Sequence, residues 1–140
     1  MAERAVIVHS LEQAKAAVAA AAELGRPVTL LSAEGAAGTV GALWFRELVI
    51  QARAEHPDVE ISAILDCADQ PGRVLGALRH GLKHLRFTGK KSTAATLQAM
   101  AEHYDAEIIT RKIPALDLLD RPAPLEACRA WLSGKRPQPR

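Results

Sequence analysis

Aromatic side chains and an excess of charge of one sign are both scarce in this chain. Phe, Trp and Tyr make up 4% of its 140 residues, and 18 Lys and Arg against 16 Asp and Glu leave a net charge of +2. Proteins that bind nucleic acids need a basic surface that follows the phosphates and, for single strands, aromatic rings on which bases stack. The composition therefore predicts no nucleic-acid partner.

Long hydrophobic runs and cysteine motifs are also missing. The most apolar stretch, residues 16–22, is rich in alanine and far shorter than the ~20 residues of a membrane span. The apolar run near the N-terminus is too short for a signal peptide. The two cysteines, Cys67 and Cys128, do not belong to a C-x-x-C motif. We therefore predict a cytoplasmic protein with reduced thiols and no membrane contact.

Short β-rich runs alternate with longer helical patterns along the chain. The runs are Ala5–His9, Val28–Ser32, Glu60–Asp66, Leu85–Thr88 and Ala106–Thr110. The segments between them are long enough for crossover helices and too long for hairpins, so the strands should be parallel. We predict a single α/β domain at 1–134, followed by a disordered basic tail at 135–140. Its fold is expected to be an open three-layer α/β/α sandwich with about five parallel strands, flavodoxin-like, and a partial (βα) barrel is the alternative.

The ends of the first helix can be located from single residues. Ser10 and Gln13 have the spacing of a capping box, in which the serine side chain accepts a hydrogen bond from a free N–H group of the first turn. Gly25 follows the last apolar residue of the pattern and is the residue that most easily adopts the left-handed cap. A helix is therefore predicted between Ser10 and Gly25.

Three candidate catalytic residues lie where predicted strands end. Ligands of parallel α/β sheets bind at the carboxyl ends of the strands. His9 ends the first strand, where a histidine is suited to acid–base chemistry. Asp66 and Cys67 end the third, just before a helix whose N-terminus would favour a nucleophilic thiolate. The alternatives are a helix cap for Asp66 and a buried core thiol for Cys67. No metal site is predicted, since Asp66 and Asp69 alone are too few ligands, and no cofactor is predicted either.

A glycine-rich loop after the second strand is the candidate site for a small anionic ligand. Gly35, Gly38 and Gly41 allow a ligand to approach the backbone closely, and Ser32 precedes them. Their spacing is G-x-x-G-x-x-G, so the dinucleotide fingerprint is absent. Lys90, beside a predicted helix start, is a further candidate contact to the anion. The alternative is a flexible loop that only turns the chain.

Trp44 and Phe45 are neighbours on the second predicted long helix. Their side chains project ~100° apart, so both cannot point at the centre of one sheet. A large aromatic at the rim of an apolar stripe is typical of an interface anchor. We predict a symmetric homo-oligomer, most simply a dimer, formed through this helix. The alternative is that Trp44 packs under the glycine-rich loop and Phe45 against a neighbouring helix of the same chain.

Residues 28–92 resemble the receiver domains of bacterial response regulators. The resemblance is carried by the segments 28–32 (VTLLS), 45–48 (FREL), 54–59 (AEHPDV) and 77–82 (ALRHGL). It implies a flavodoxin-like fold. Receivers carry their phosphoacceptor aspartate where this chain has Ser32, and their acidic pair falls at His9 and Ser10. The resemblance therefore implies a receiver-like scaffold without phosphotransfer chemistry.

Two hypotheses about function follow from these observations. The first is a non-catalytic module that binds a small ligand or regulates a partner, which the receiver resemblance and the absence of catalytic motifs favour. The alternative is a small-molecule enzyme, lyase-like or phosphate-handling, that acts at the carboxyl ends of the strands. It would use His9, Asp66, Cys67 and Lys90.

Overall fold

A computed structural model describes residues 4–135 of the chain, apart from the side chain of Thr39. The elements are β1 (Ala5–Val8), α1 (Leu11–Leu24), β2 (Val28–Ser32), α2 (Ala36–Thr39), α3 (Ala42–Arg53), β3 (Ile61–Asp66), α4 (Pro71–Arg79), β4 (His84–Arg86), α5 (Lys91–Glu102), β5 (Glu107–Ile109), β6 (Ala115–Asp117) and α6 (Pro124–Leu132). All five predicted strands are present, whereas β6 was not predicted. None of the helices in this part of the chain is long and apolar enough to cross a membrane. The predicted tail, except for Lys135, lies outside the described residues.

The six strands are hydrogen-bonded in the order β5-β4-β3-β2-β1-β6. The pairings are parallel, with Ala5 opposite Ala115 and Leu65 opposite Leu85. The predicted class, an open parallel α/β sheet, is therefore confirmed, with six strands instead of about five. The strand order is not that of flavodoxin, in which the first strand lies between the second and the third. Here β1 to β5 follow one another, as strands do in the alternative prediction, a (βα) barrel.

The contacts divide the chain into two compact units. Unit 1 takes the residues up to 31, residues 48–62 and the residues from 113 on, and unit 2 takes 32–47 and 63–112. A single domain over 1–134 stays a prediction.

Unit 1 is built around α1 and its contacts with α6. Four alanines of α1 are completely buried, and such small side chains let α6 approach closely. The core also contains Val6, Leu30, Leu116 and Leu132, which are buried aliphatic residues. Trp131 donates a hydrogen bond from its indole N–H to the Ala5 carbonyl oxygen at 2.9 Å, so the large ring is buried without an unpaired donor. The two ends of the described chain are thus held together inside this unit.

The caps of α1 follow the sequence signals. The Ser10 side chain accepts a hydrogen bond from the Gln13 N–H at 3.2 Å, and Gly25 adopts the left-handed conformation at φ 61°. Both predicted ends are confirmed. In a capping box the side chain of the residue at the Gln13 position accepts from the N–H of the cap residue. Here the Gln13 Oε1 accepts from the N–H of His9, one residue earlier, at 2.8 Å.

Unit 2 contains the carboxyl half of β3 with β4, β5, α4 and α5. Its buried residues include Leu65, Leu78, Leu85 and Phe87. Gln98 on α5 accepts a hydrogen bond from the Ile108 N–H at 3.3 Å, which joins α5 to β5. Gly89 follows β4 where a Cβ atom would overlap the Phe87 ring, so this close approach requires glycine.

Candidate functional site

Asp66 lies at the carboxyl end of β3 and accepts hydrogen bonds from three groups of unit 2. Asp66 is 4% exposed. Its Oδ1 accepts hydrogen bonds from the N–H groups of Gly35 at 3.1 Å and Ala68 at 2.8 Å. Ala68 reaches this position with φ 51°, a left-handed conformation that is uncommon for a residue with a Cβ atom. The carboxylate therefore fixes two separate turns of the backbone, the one after β2 and the one after β3.

Arg86 on β4 supplies the positive charge that faces Asp66. Its Nη1 lies 3.3 Å from Asp66 Oδ2, and its Nε donates to the Arg111 carbonyl oxygen at 3.3 Å. A buried carboxylate needs such a partner, because desolvation of an unpaired charge is costly. The sequence analysis did not select Arg86 as a site residue. The available signal was the polar alternation of His84, Arg86 and Thr88 along the fourth strand.

In the glycine-rich loop, polar groups of the residues predicted to bind an anion form hydrogen bonds with other groups of the protein. The Gly35 N–H donates to Asp66, and the Gly38 N–H donates to the Gly35 carbonyl oxygen at 3.0 Å. Ser32 is buried, and its Oγ accepts from the Asp66 N–H at 2.9 Å and donates to the Ala33 carbonyl oxygen at 3.2 Å. The Gly35 N–H therefore already has an acceptor in the carboxylate of Asp66, and an anionic ligand at this loop stays a prediction.

Cys67 is buried behind Asp66. Burial, together with the charge of Asp66, raises the pKa of its thiol to about 12. Cys128, on α6, is buried too, and burial raises its pKa to about 12. A nucleophile must be a thiolate, and both thiols remain protonated near neutral pH. The structure thus supports the alternative stated for Cys67, a core thiol, and gives no support to a nucleophile.

We expect both thiols to resist a thiol reagent in the folded protein and to react in denaturant. The unfolded state loses these protons near pH 9, whereas the folded state keeps them until about pH 12. The unfolded state therefore binds fewer protons in this window, and the free energy of unfolding falls as pH rises from 9 toward 12. Thiol titration with and without urea, and urea melts at pH 8 and 10, measure the two effects. Rapid labelling of Cys67 in the folded state would contradict its burial.

Lys90 lies in unit 2, just before α5. Its side chain is exposed and does not cap the helix, and its carbonyl oxygen accepts the first intrahelical hydrogen bond, from Ala94. The N–H groups of the first turn, before Ala94, have no intrahelical acceptor, and such groups attract negative charge. Lys90 therefore remains a candidate contact to an anionic ligand.

His9 forms a second cluster, in unit 1, with Asp117 at the carboxyl end of β6. The His9 Nε2 lies 2.7 Å from Asp117 Oδ1, and their side chains are 24% and 37% exposed. Asp117 was not selected from the sequence, because β6 was not predicted. The two residues meet since β1 and β6 are adjacent parallel strands, with Ile7 opposite Asp117. A histidine held by a carboxylate and open to solvent is able to transfer protons.

The two aromatic residues predicted as interface anchors have different environments. Trp44 is 37% exposed, whereas Phe45 is completely buried. Phe45 is therefore not available to a partner, which corrects its assignment as an anchor. Trp44 remains a candidate, together with Val40 and Leu43, which are also exposed.

Within residues 4–135, no three His, Cys, Asp or Glu side chains lie close enough together to hold a metal ion.

The sequence matches a family model and two curated enzymes. The family model "Fructose-bisphosphate aldolase class-II" matches residues 1–109. A plasmid-encoded fructose-bisphosphate aldolase of Cupriavidus necator is 32% identical over 82 residues, which cover 59% of this chain and 24% of that enzyme. A fructose-bisphosphate aldolase of Nostoc sp. is 28% identical over 96 residues, which cover 69% of this chain and 27% of that enzyme. The chain thus spans about a quarter of the length of these relatives.

The fold is similar to a crystal structure of a fructose-1,6-biphosphate aldolase candidate from Coccidioides immitis. The TM-score is 0.57 at 22% sequence identity, and the match covers 74% of this chain and 37% of that one. At this identity the likeness concerns the fold alone. Together with the family model, it overturns the resemblance to receiver domains and the flavodoxin-like assignment. The segments quoted for that resemblance are strand and helix patterns that many α/β proteins share.

Proposed function

From the premise that this chain belongs to the class-II fructose-bisphosphate aldolase family, we propose that it is a lyase that cleaves a carbon–carbon bond of a small phosphorylated sugar. The observation that carries the proposal is the family match, which extends over residues 1–109. The first hypothesis, a non-catalytic module, is contradicted by this match. The alternative, a small-molecule enzyme acting at the carboxyl ends of the strands, fits better.

The positions of the polar residues support this activity. Cleavage of a sugar in this way needs a group that accepts and returns a proton, and positive charge that binds phosphate. Within unit 1, His9 and Asp117 form a pair at strand ends. Within unit 2, taken by itself, Lys90 at the start of α5 is the candidate contact to phosphate. Asp66 instead accepts three hydrogen bonds from its own surroundings, so its proposed part is to hold the loops of unit 2 in place.

The full chain is expected to release triose phosphates from fructose 1,6-bisphosphate, measured by a coupled assay. Replacement of Lys90 by Gln removes a charged contact to phosphate, which corresponds to roughly 1.5–3 kcal/mol. Lys90→Gln should therefore raise KM about 10–100-fold, whereas the matched variant Lys15→Gln, at an exposed position of α1, should leave KM unchanged. Absence of cleavage of this sugar and of other phosphorylated ketoses would contradict the proposal. An unchanged KM in Lys90→Gln would exclude a contact between Lys90 and the phosphate, but not the proposed lyase activity.

We also propose a cytoplasmic location. It is supported by the two cysteines, which are both free and buried. Proteins of oxidising compartments more often pair their cysteines in disulfides.

A further inference from the structure

We propose that a groove of unit 2, between the start of α3 and one face of α4, binds the α3 helix of a second copy of this chain. The groove is lined by residues 37 and 40–43 on one side and by α4 and its cap His80 on the other, and its volume is about 360 Å³. The sequence analysis predicted a self-contact on α3 alone, whereas the groove is a surface that can receive that helix. The inference does not depend on the proposed lyase activity.

The side of the groove that α3 forms carries large apolar side chains open to solvent. Val40 and Leu43 line the groove and are 45% and 52% exposed. Trp44, which follows Leu43, is exposed as well. Adjacent exposed apolar side chains are typical of a contact surface, and tryptophan is enriched among the residues that contribute most to binding. Burial of these three side chains against another molecule is therefore favourable.

The opposite side of the groove carries small residues at its centre. Gly72 and Gly76 lie about one helical turn apart on α4, and Ala77 beside them is completely buried. Among the described residues, no heavy atom beyond the adjacent residues and the helix backbone lies within 4 Å of a Cβ atom built on either glycine. The space above the two glycines is therefore open, and a large side chain such as that of Trp44 from another copy can approach α4 closely.

Charge selects a second copy as the occupant of the groove. Arg73 lines the groove and is exposed, and its Nε donates to Gln70 Oε1 at 3.3 Å, which holds the guanidinium at the edge of the groove. Glu47 is exposed about one helical turn after Leu43, so it lies on the face of α3 that carries the apolar side chains. When this face enters the groove of another copy, the carboxylate of Glu47 can meet Arg73.

The two surfaces together close a symmetric dimer. Each copy presents both the α3 face and the groove, and a two-fold axis lets the two copies exchange them. The pair between Glu47 of one copy and Arg73 of the other then forms twice, once in each direction. In such a dimer neither groove remains open to a third copy.

The first test compares Gly76→Gln with Ala95→Gln, which introduces the same side chain at an exposed position of α5. Light scattering at micromolar concentration should give the wild type and Ala95→Gln about twice the 15.0 kDa of one chain. In Gly76→Gln the added side chain occupies the groove, and the Kd of the dimer should rise about 10–100-fold. Circular dichroism should show the native helix content, because glutamine favours a helix more than glycine does.

The second test exchanges the charges of the proposed pair. Glu47→Arg and Arg73→Glu each place like charges opposite each other in both contacts, so each variant alone should raise the Kd about 10-fold. An equimolar mixture of the two should form a heterodimer with nearly the wild-type Kd, because both of its contacts again join opposite charges. Glu102→Arg, a charge reversal at an exposed position of α5, is the matched control and should dimerise as the wild type does.

Three results would overturn the proposal. The first is a wild type that stays at 15.0 kDa, which leaves the groove to a partner of another kind. The second is a folded Gly76→Gln with the wild-type Kd. The third is a mixture of the two charge variants that associates no better than either variant alone. Each result is read from the mass of the assembled chains, so none depends on whether the protein cleaves a sugar.

Discussion

Phe45→Glu is expected to unfold this protein instead of dissociating an assembly. The Phe45 side chain is completely buried. Truncation of a buried Phe costs about 3–5 kcal/mol, and a carboxylate in its place adds the cost of desolvating a charge without a partner. The sum is comparable with the 5–15 kcal/mol that typically separates a folded domain from its unfolded state.

Trp44→Glu is the matched control, since it introduces the same carboxylate one residue away at a side chain that is 37% exposed. Circular dichroism and urea melts should show a native fold for Trp44→Glu and loss of the cooperative transition for Phe45→Glu. A wild-type urea midpoint in Phe45→Glu would contradict the burial. Light scattering of Trp44→Glu addresses the homo-oligomer, which stays a prediction: a wild type of 15 kDa would exclude it.

Asp66→Ala is expected to lower the free energy of unfolding by about 3–5 kcal/mol, because it leaves the charge of Arg86 without its partner. Arg86 is itself largely buried, with 18% of its side chain exposed. The variant also removes the acceptor shared by the N–H groups of Gly35 and Ala68. The ion pair and the two N–H contacts are lost together. The decrease in the free energy of unfolding should therefore be larger than that caused by removing an exposed carboxylate.

Urea melts of Asp66→Ala and of Asp69→Ala, an exposed aspartate three residues on, measure this difference. Asp69→Ala should change stability by less than ~0.5 kcal/mol. Addition of Arg86→Met to Asp66→Ala should recover part of the loss, since no uncompensated charge then remains. If Asp66→Ala and Asp69→Ala gave the same midpoint, the ion pair and its two N–H donors would have no net effect on folding.

Features that depend on neighbouring residues were predicted well from the sequence. The start of α1 at Ser10 and its end at Gly25 follow from backbone groups within one turn, and the parallel sheet follows from the lengths of the segments between strands. β6 could not be predicted in this way. It has only three residues after Pro114, and its pairing with β1 links positions about 110 residues apart.

At the candidate site, too, the contacts between residues far apart in the sequence could not be predicted. The glycines after β2 predicted a loop that binds an anionic ligand, which stays a prediction. In the structure the Gly35 N–H donates to Asp66, 31 residues further along, a contact that the local sequence did not indicate. The sequence pattern could not choose between Trp44 and Phe45 either, because the two residues have the same local context. Their different burial depends on what each side of α3 packs against. The receiver resemblance was wrong for a related reason, since its segments record strand and helix periodicity and not strand order.

The pairing of β1 with β6 also has a consequence for how the chain folds during synthesis. Ala5 can pair with Ala115 only after Ala115 has been synthesised. At ~5–20 residues per second, synthesis of the residues between them takes roughly 5–20 s. Until then, apolar residues such as Val6 and Val18 lack the α6 side of their core. Unit 2 contains continuous stretches with local pairings, such as β4 with β5, which can form earlier. The apolar residues of β1 and α1 should therefore remain exposed in the nascent chain until α6 has been made.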